Sequence, residues 1–212
     1  MGTTTDRGSL IVFEGIDGAG KTTQIALLKD WLKEQGKKVF CTAEPTESLT
    51  GGMLRDALSG NARRSVCEMA ALFTLDRIFH NVNPVNGIEK MLGDGYTVIC
   101  DRYYYSSLAY QGAETDAAWV RAMNLGCPEI RRPDLCLFLD LSPEESMKRI
   151  TRDRPTLEIY ESLERLGRIR AQFHRVLGDL PGENIHILDA SCSPEELHAT
   201  IRRLVGKELS DS

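Results

Sequence analysis

The 212-residue sequence lacks several features that mark common classes of protein. None of its apolar runs approaches the roughly 20 residues that a membrane-spanning helix needs, and no apolar signal segment lies near its start. Its six cysteines are scattered and include no Cys-x-x-Cys pair, the spacing typical of redox and zinc sites. We therefore expect a protein of the cytoplasm that has reduced thiols and contacts no membrane.

The sequence also has no excess of positive charge. Its formal net charge is -5, whereas proteins that bind nucleic acid broadly usually carry a basic face. This balance predicts no nucleic-acid partner. Any anionic ligand must therefore be held by a few cationic side chains at defined positions. Apolar residues form 42% of the chain and charged residues 27%, which is typical of a folded globular protein. The length suits one domain over residues 1–212.

Short apolar segments alternate with helical patterns along the chain. Five segments are predicted to be strands, and they begin at Leu10, Val39, Thr97, Leu135 and Ile185. Consecutive apolar residues are typical of strands that are covered on both faces. Ser142 and Ser193 each begin a Ser-Pro-Glu-Glu segment, the pattern of an N-cap serine followed by a helix. The alternation predicts an α/β fold with a parallel sheet between two layers of helices.

The middle of the chain has helical periodicity. Leu72, Leu75, Phe79 and Val82 recur at three- and four-residue intervals, which places them on one face of a helix. We interpret this apolar stripe as the surface that faces the core. Asn83-Pro84 predicts the end of the helix.

The strongest local signal follows the first predicted strand. Residues 15–22, Gly-Ile-Asp-Gly-Ala-Gly-Lys-Thr, fit the phosphate-binding P-loop pattern between a strand and a helix. In this motif, backbone N–H groups surround phosphate oxygens, Lys21 reaches the β- and γ-phosphates, and Thr22 holds Mg²⁺. The residues predicted to bind the nucleotide are Gly15, Ile16, Asp17, Gly18, Ala19, Gly20, Lys21, Thr22 and Thr23. The flanking strand and helix disfavour the alternative, a chance glycine turn with an exposed lysine.

A second charged pair ends the third predicted strand. Asp101 is a candidate for a second Mg²⁺ anchor, directly or through water, and the guanidinium of Arg102 suits bidentate binding of a phosphate. The alternative is an ordinary ion pair at the end of a strand. The P-loop nearby favours the phosphate role.

These segments together resemble the thymidylate kinase family. The resemblance rests on residues 13–23, Asp101-Arg102-Tyr103 and residues 106–112, Ser-Ser-Leu-Ala-Tyr-Gln-Gly, with weaker matches at Glu44-Pro45-Thr46, Leu54-Arg55 and residues 72–77. It implies a P-loop NTPase fold with three α/β/α layers, a five-stranded parallel sheet in the order 2-3-1-4-5 and a short helical lid at residues 149–160. It also implies ATP with Mg²⁺ as the phosphoryl donor, dTMP as the acceptor and a homodimer.

The resemblance assigns roles around the acceptor phosphate. Asp17 corresponds to the family's contact with the 3′-hydroxyl of the acceptor sugar, although a simple turn aspartate is the alternative. Arg102 corresponds to the residue that bridges the acceptor phosphate and the transferring phosphoryl group. Arg55 corresponds to a second grip on that phosphate, and Glu44-Pro45 belongs to the same acceptor site.

The resemblance also assigns a site for the base. Phe73 and Arg77 lie four residues apart, so they share a helix face. The family uses these positions to stack on thymine and to donate to its carbonyl edge, whereas the alternative for Phe73 is membership of the core stripe. Ser107 and Gln111 correspond to residues that hydrogen-bond the base, and Tyr110 to the aromatic ring that crowds the sugar 2′ position. We interpret the tyrosines at 103–105 as packing residues.

Members of this family differ in the origin of the catalytic arginine, which lies in the P-loop in some and in the lid in others. The P-loop position here is Gly18, so the chain resembles the class with a lid arginine. The candidates are Arg149, Arg152 and Arg154, and all three stay open, because each also suits a solvated basic helix face. The implied reaction is direct in-line transfer from ATP to dTMP, which gives dTDP and ADP.

Two other classes of function share the P-loop. A kinase for another nucleoside monophosphate or for a deoxynucleoside would differ at the acceptor, and a nucleoside would leave Arg55 without a phosphate. A GTP-dependent switch or a nucleotide sensor is the other class. The Asn-Lys-x-Asp motif that reads guanine does not occur in the sequence, which disfavours the switch.

Overall fold

The computed structural model of the chain describes residues 7–153 and 162–211. These residues form a sheet of five parallel strands, β1 (Leu10–Glu14), β2 (Val39–Ala43), β3 (Thr97–Asp101), β4 (Leu135–Asp140) and β5 (Ile185–Asp189). The strands lie in the order β2-β3-β1-β4-β5. Both the predicted α/β fold and the strand order implied by the resemblance are confirmed.

The described residues also form nine helices. They are α1 (Lys21–Glu34), α2 (Leu49–Leu58), α3 (Val66–Val82), α4 (Ile88–Gly93), α5 (Tyr104–Glu114), α6 (Ala117–Leu125), α7 (Pro143–Asp153), α8 (Leu163–Gly178) and α9 (Pro194–Asp211). None of them is long and apolar enough to cross a membrane. The predicted lid at 149–160 is described only as far as the end of α7, and the prediction of one domain stays a prediction.

Alternate residues of β1 face two separate cores. Leu10 and Val12 pack into a cluster that includes residues of α3, α4, α5, α6 and α8. Ile11 and Phe13 pack into a second cluster, on the side of α1 and α9. A strand buried on both faces requires consecutive apolar residues, which accounts for the run that the sequence shows at this position.

The carboxyl ends of β1 and β3 lie side by side, because Phe13 pairs with Asp101 in the parallel register. The P-loop follows β1, and the Asp101-Arg102 pair ends β3. Two segments separated by about 80 residues of sequence therefore meet at one edge of the sheet, where open parallel sheets place their ligands.

Most of the apolar stripe of α3 faces outward, so the prediction that it faces the core is wrong for all of its members except Leu72, which packs against a small buried cluster. Leu75, Phe79 and Val82 are 51%, 44% and 44% exposed. Met69 and Ala70 are buried in the first half of the helix, but the buried residues of its second half are polar, namely Thr74, Asp76, Arg77, His80 and Asn81. This burial is tolerated because these side chains find charged and hydrogen-bonding partners. Periodicity shows that the two faces of a helix differ, but partners elsewhere in the chain decide which face is buried.

Polar caps fix the starts of several helices. Ser65 and Glu68 form a reciprocal capping box at the start of α3. The predicted start of α9 is confirmed, since the hydroxyl of Ser193 accepts from the N–H of Glu196 at 3.2 Å while the Glu196 carboxylate accepts from the N–H of Ser193 at 3.0 Å. Such caps satisfy N–H groups that have no partner within the helix.

Candidate active site

The P-loop connects β1 to α1 and depends on glycine at two tightly packed positions. Gly15 has φ 143° and Gly18 has φ 73°, conformations that residues with a side chain rarely adopt. A Cβ atom at Gly15 would lie 2.6 Å from the carbonyl oxygen of Leu139, and one at Gly18 would lie 2.9 Å from that of Ser146. The loop lines a cavity of about 690 Å³, which we call the P-loop cavity.

Lys21 is the cation at the floor of the P-loop cavity. Its Nζ donates to the carbonyl oxygens of Gly15 at 3.1 Å and Ile16 at 3.4 Å, and the residue is 8% exposed. Burial lowers the pKa of Lys21 from its ordinary value, and the nearby guanidinium of Arg102 lowers it further. The carboxylates of Asp101, Asp17 and Glu14 act in the other direction without cancelling this shift, so an additional anion such as phosphate would stabilise the ammonium group. The position therefore suits the binding of phosphate.

Two oxygen-bearing side chains in this cavity fit a magnesium ion. The Oδ1 atom of Asp101 is buried and has no hydrogen-bond partner among the described residues. Thr22 lines the same cavity. Mg²⁺ prefers oxygen ligands and usually takes most of them from water and substrate phosphates. The described residues contain no group of three His, Cys, Asp or Glu side chains that could hold a metal ion, so the fit is to a metal that arrives with phosphate.

A second cavity of about 370 Å³ adjoins the first and lies between α3 and α5, and we call it the α3–α5 cavity. All nine residues predicted for the acceptor line it, namely Glu44, Pro45, Arg55, Phe73, Arg77, Arg102, Ser107, Tyr110 and Gln111. Three residues, Asp17, Glu44 and Arg102, line both cavities. The structure thus brings the predicted residues together, while their individual roles stay predictions.

Arg102 lies at the junction of the two cavities in an unusual backbone conformation. Its φ of 66° is the one positive value at a non-glycine residue in the described chain, and such a conformation needs support from its surroundings. The guanidinium donates to the Asp17 carboxylate, to the Gly15 carbonyl at 3.2 Å and to the Ser106 hydroxyl at 3.2 Å. It also lies over the ring of Tyr110, 5.5 Å from the centroid. These contacts hold the guanidinium in the wall that the two cavities share.

Glu14 supports this junction from beneath, a role that the sequence analysis missed. It is fully buried, and its Oε1 accepts from the N–H groups of Tyr103 at 2.8 Å and Ser106 at 3.1 Å. Its Oε2 accepts from the Ser106 hydroxyl at 2.7 Å. Burial raises the pKa of Glu14, although Arg102 and these hydrogen bonds act in the other direction. The sequence offered one signal for this role, because Glu14 is an acidic residue at the end of an otherwise apolar strand.

Arg77 is locked into a buried network on the wall of the α3–α5 cavity. It is 1% exposed, and its Nε donates to the Glu44 carboxylate at 2.8 Å. Its NH1 donates to the Ser107 hydroxyl at 3.2 Å and to the side chain of Asn124. The other oxygen of Glu44 lies 3.0 Å from His80 Nδ1. The sequence analysis missed His80 and Asn124, and nothing in the sequence around α6 pointed to this contact.

The remaining predicted residues form the apolar and polar walls of the α3–α5 cavity. Phe73 lines the cavity and also packs against a small cluster beneath α2 and α3, so it combines the two alternatives considered for it. Ser107 and Gln111 of α5 are 1% and 3% exposed. Tyr110 is 6% exposed, and burial raises the pKa of its hydroxyl above the ordinary value. The tyrosines at 103–105 are at most 1% exposed, as expected for packing residues.

Two of the three candidate lid arginines are described, and both line the P-loop cavity. Arg149 of α7 donates from NH2 to the Ala190 carbonyl at 3.0 Å and from NH1 to the Gly18 carbonyl at 3.5 Å. Arg152 lies one turn further along the helix. Arg154 lies outside the described residues.

The fold and the two adjoining cavities define a P-loop protein that binds a nucleotide next to a second ligand. A model of the thymidylate kinase family matches residues 13–201. A probable thymidylate kinase of Pyrococcus horikoshii is 40% identical over 210 residues, which covers 96% of this chain and 98% of the relative. A probable thymidylate kinase of Archaeoglobus fulgidus is 37% identical over 202 residues, which covers 95% and 96%. The chain belongs to the thymidylate kinase family.

Proposed function

We propose that the chain transfers the γ-phosphoryl group of ATP to dTMP, giving dTDP and ADP. The observation that carries this proposal is the junction of the two cavities, where Asp17, Glu44 and Arg102 line both. A donor in the P-loop cavity and an acceptor in the α3–α5 cavity would bring their phosphates together at this wall. Membership of the thymidylate kinase family supports ATP as the donor and dTMP as the acceptor.

The chemistry asks the protein for position and charge, because phosphoryl transfer needs no covalent enzyme intermediate. Lys21 holds the β- and γ-phosphates of the donor, and Arg102 holds the acceptor phosphate beside them. Thr22 and Asp101 would hold Mg²⁺, which would supply neutralisation of phosphate charge. The buried setting of Lys21 and the partly buried setting of Arg102 strengthen their attraction to the phosphates, since less water screens it than at an exposed site.

Thymine recognition is assigned to the network of Arg77. The pair with Glu44 fixes the guanidinium, and the hydroxyl of Ser107 accepts from the same NH1 that faces Asn124. A guanidinium held in this way suits the carbonyl edge of a pyrimidine, with Phe73 as a stacking surface. Tyr110 lines the same cavity, and in this proposal its ring crowds the 2′ position of the sugar, which favours a deoxynucleotide.

The test is a panel of acceptors assayed with ATP and Mg²⁺: dTMP, dUMP, dCMP, dGMP and thymidine. We expect the highest kcat/KM with dTMP. A clear preference for another acceptor would overturn the assignment to dTMP. ADP release that does not depend on any acceptor would instead indicate an ATPase or a nucleotide sensor.

We propose that the catalytic lid arginine is one of Arg149, Arg152 and Arg154. Its loss would lower kcat by about 10³-fold, since it neutralises charge in the transition state. The three single alanine variants are compared with Arg168→Ala, a change at an exposed arginine of α8 that lines neither cavity. If no variant loses more than the control, the catalytic cation comes from elsewhere.

We also propose that the chain forms a homodimer through the exposed apolar face of α3. Leu75, Phe79 and Val82 share one side of the helix and are each at least 44% exposed, and contiguous apolar surface of this kind marks interfaces. Phe79→Glu should give a monomer in analytical ultracentrifugation, whereas Leu163→Glu, at an exposed leucine of α8, should leave the dimer intact. A wild-type monomer at micromolar concentration contradicts this proposal.

The cysteines support a reducing compartment. All six lie within the described residues and are free thiols, and disulfides are rare where glutathione keeps thiols reduced. We therefore propose the cytoplasm as the location.

A further inference from the structure

The carboxylate of Asp76 gathers an unusual number of hydrogen bonds from one short segment. Asp76 is fully buried on α3, and its Oδ2 accepts from the N–H of Thr46 at 2.8 Å. Its Oδ1 accepts from the hydroxyls of Thr46, Ser48 and Thr50, each at 2.7 Å. Burial alone would raise the pKa of Asp76, but the hydrogen bonds outweigh it and hold the pKa below its usual range. The carboxylate is therefore charged and fully engaged.

The segment that Asp76 holds also holds Arg55. The NH1 group of Arg55 donates to the carbonyl oxygens of Thr46 and of Pro45. The same segment begins α2, because the hydroxyl of Ser48 caps the helix by accepting from the N–H of Gly51 at 3.1 Å. Arg55 lies on α2. Asp76 thus fixes both the start of the helix that carries Arg55 and the carbonyls that orient its guanidinium.

We propose that Asp76 is a positioning residue for the acceptor phosphate, which it serves by holding residues 46–50 so that Arg55 faces the α3–α5 cavity. This inference rests on the proposed function, since it takes dTMP as the acceptor and Arg55 as a phosphate contact. In the proposed complex, the next residue, Arg77, contacts the base at the other end of dTMP. One turn of α3 therefore sets the distance between the site for the base and the site for the phosphate.

A purely structural role would give a different result from a positioning role. Loss of general stability would weaken all ligands of the cavity together. Loss of position at Arg55 would weaken only an acceptor that carries a phosphate. Thymidine, which has the base and sugar of dTMP without the phosphate, separates the two.

The experiment compares Asp76→Asn with wild type and with Asp134→Asn. Asp134 is a matched control because, like Asp76, it accepts from a backbone N–H and lines neither cavity. Its carboxylate accepts from the N–H of Leu10 at 2.7 Å and from the Arg131 guanidinium, and not from residues 46–50. We expect Asp76→Asn to raise the Kd of dTMP about tenfold, the scale of a lost contact to a charged group. The inhibition constant of thymidine and the Kd of ATP should stay within about twofold of wild type, and Asp134→Asn should change none of the three.

A double-mutant cycle that combines Asp76→Asn with Arg55→Ala tests whether Asp76 affects dTMP binding through Arg55. If Asp76 acts through Arg55, the double variant should lose no more dTMP affinity than Arg55→Ala alone. Losses that multiply, an unchanged Kd for dTMP, or an equal loss for thymidine would each overturn the inference. If Asp76→Asn does not fold, Thr50→Val removes one hydroxyl from the same carboxylate and decides the question with the same ligands, with a smaller expected rise of about threefold.

The wild-type assay separates this inference from the function on which it rests. If wild type shows no ADP formation that depends on dTMP, the proposed function fails. If wild type is active and Asp76→Asn binds dTMP normally, only the inference fails.

Discussion

The two cavities share a wall but are built in different ways. The P-loop cavity is lined by one continuous segment, residues 17–24, together with residues at the ends of β2 and β3, on α7 and after β5. The α3–α5 cavity collects side chains from the segment after β2, from α2, α3 and α5, and from the end of β3. In the first cavity, the P-loop itself is a local structure with glycine at its critical points, whereas the second cavity has no continuous segment of this kind and exists only after distant elements have packed.

This difference affects how each cavity responds to mutation. The P-loop cavity depends on the backbone, so most changes there act on the reaction through one side chain at a time. The walls of the α3–α5 cavity are joined through buried charges, so a change at one residue should disturb its neighbours. The variants that follow test this contrast, and they are ordered by the size of the expected effect.

Lys21→Ala should have the largest effect. It removes the buried cation of the P-loop cavity, and we expect kcat to fall about 10³-fold, as for the loss of a preorganised charge-stabilising group. Binding of dTMP without ATP should be unchanged, because Lys21 does not line the α3–α5 cavity. Steady-state assays and calorimetry measure the two effects. Lys29→Ala, at a partly exposed position of α1 that lines neither cavity, is the control. Turnover of Lys21→Ala near that of the control would contradict the P-loop assignment.

Glu44→Gln should mainly affect stability. Glu44 is paired with Arg77 at 2.6 Å, and both side chains are at most 2% exposed. Removing one charge of a buried pair should lower the free energy of unfolding by about 3 kcal/mol, measured by urea denaturation. The exposed pair of Arg168 and Glu164 gives the comparison, since Glu164→Gln should change stability very little. If Glu44→Gln lowers the free energy of unfolding no more than Glu164→Gln does, the buried charges around Arg77 are not energetically coupled.

Arg102→Ala tests the junction itself. We expect kcat/KM for dTMP to fall about 10²-fold, because the variant removes a charge between the two phosphates. The affinity for ATP should change much less, since the P-loop backbone and Lys21 remain. Calorimetry with ATP and initial rates over a range of dTMP concentrations separate the two quantities. If only the affinity for ATP falls, Arg102 is part of the ATP site and not of the acceptor site.

Ser65→Ala should have the smallest effect. It removes the cap of α3 and should lower stability by about 1 kcal/mol, measured by thermal or urea unfolding. The KM for dTMP should not change, because the cap lies about three helical turns from Asp76 and Arg77. Ser210→Ala, near the end of α9, is a neutral control. A raised KM would show that the start of α3 contributes to the position of the acceptor residues.

The extent to which the sequence predicted each region follows from the same contrast. Gly15, Lys21 and Thr22 were predicted from spacing alone, since one short segment contains all the information. Phe73 and Arg77 needed the family resemblance, because helical spacing alone favoured a core position for Phe73. Contacts of the kind made by Asn124 could not be predicted, since they depend on how α6 packs against α3 and no local pattern records that.

The outward apolar face of α3 shows the same limit from another side. Leu75 and Phe79 repeat at the right spacing for a core, but the favourable partners for the polar face come from the segment after β2. The hydrogen bonds to Asp76 and the ion pair with Glu44 stabilise the observed orientation of the helix more than burial of the apolar stripe would stabilise the opposite one. A sequence pattern contains the amphipathicity of a helix, and the direction in which the helix points is a property of the whole fold.

The inverted faces of α3 also have a consequence for the order of folding. A helix with an apolar inner face can pack onto a sheet during early collapse, whereas Arg77 enters the interior at great cost unless Glu44 is already in place. The second half of α3 should therefore dock late, after β2 and the segment that follows it have settled. In hydrogen-exchange experiments during refolding, amides of β1 and β3 should become protected before those around Arg77.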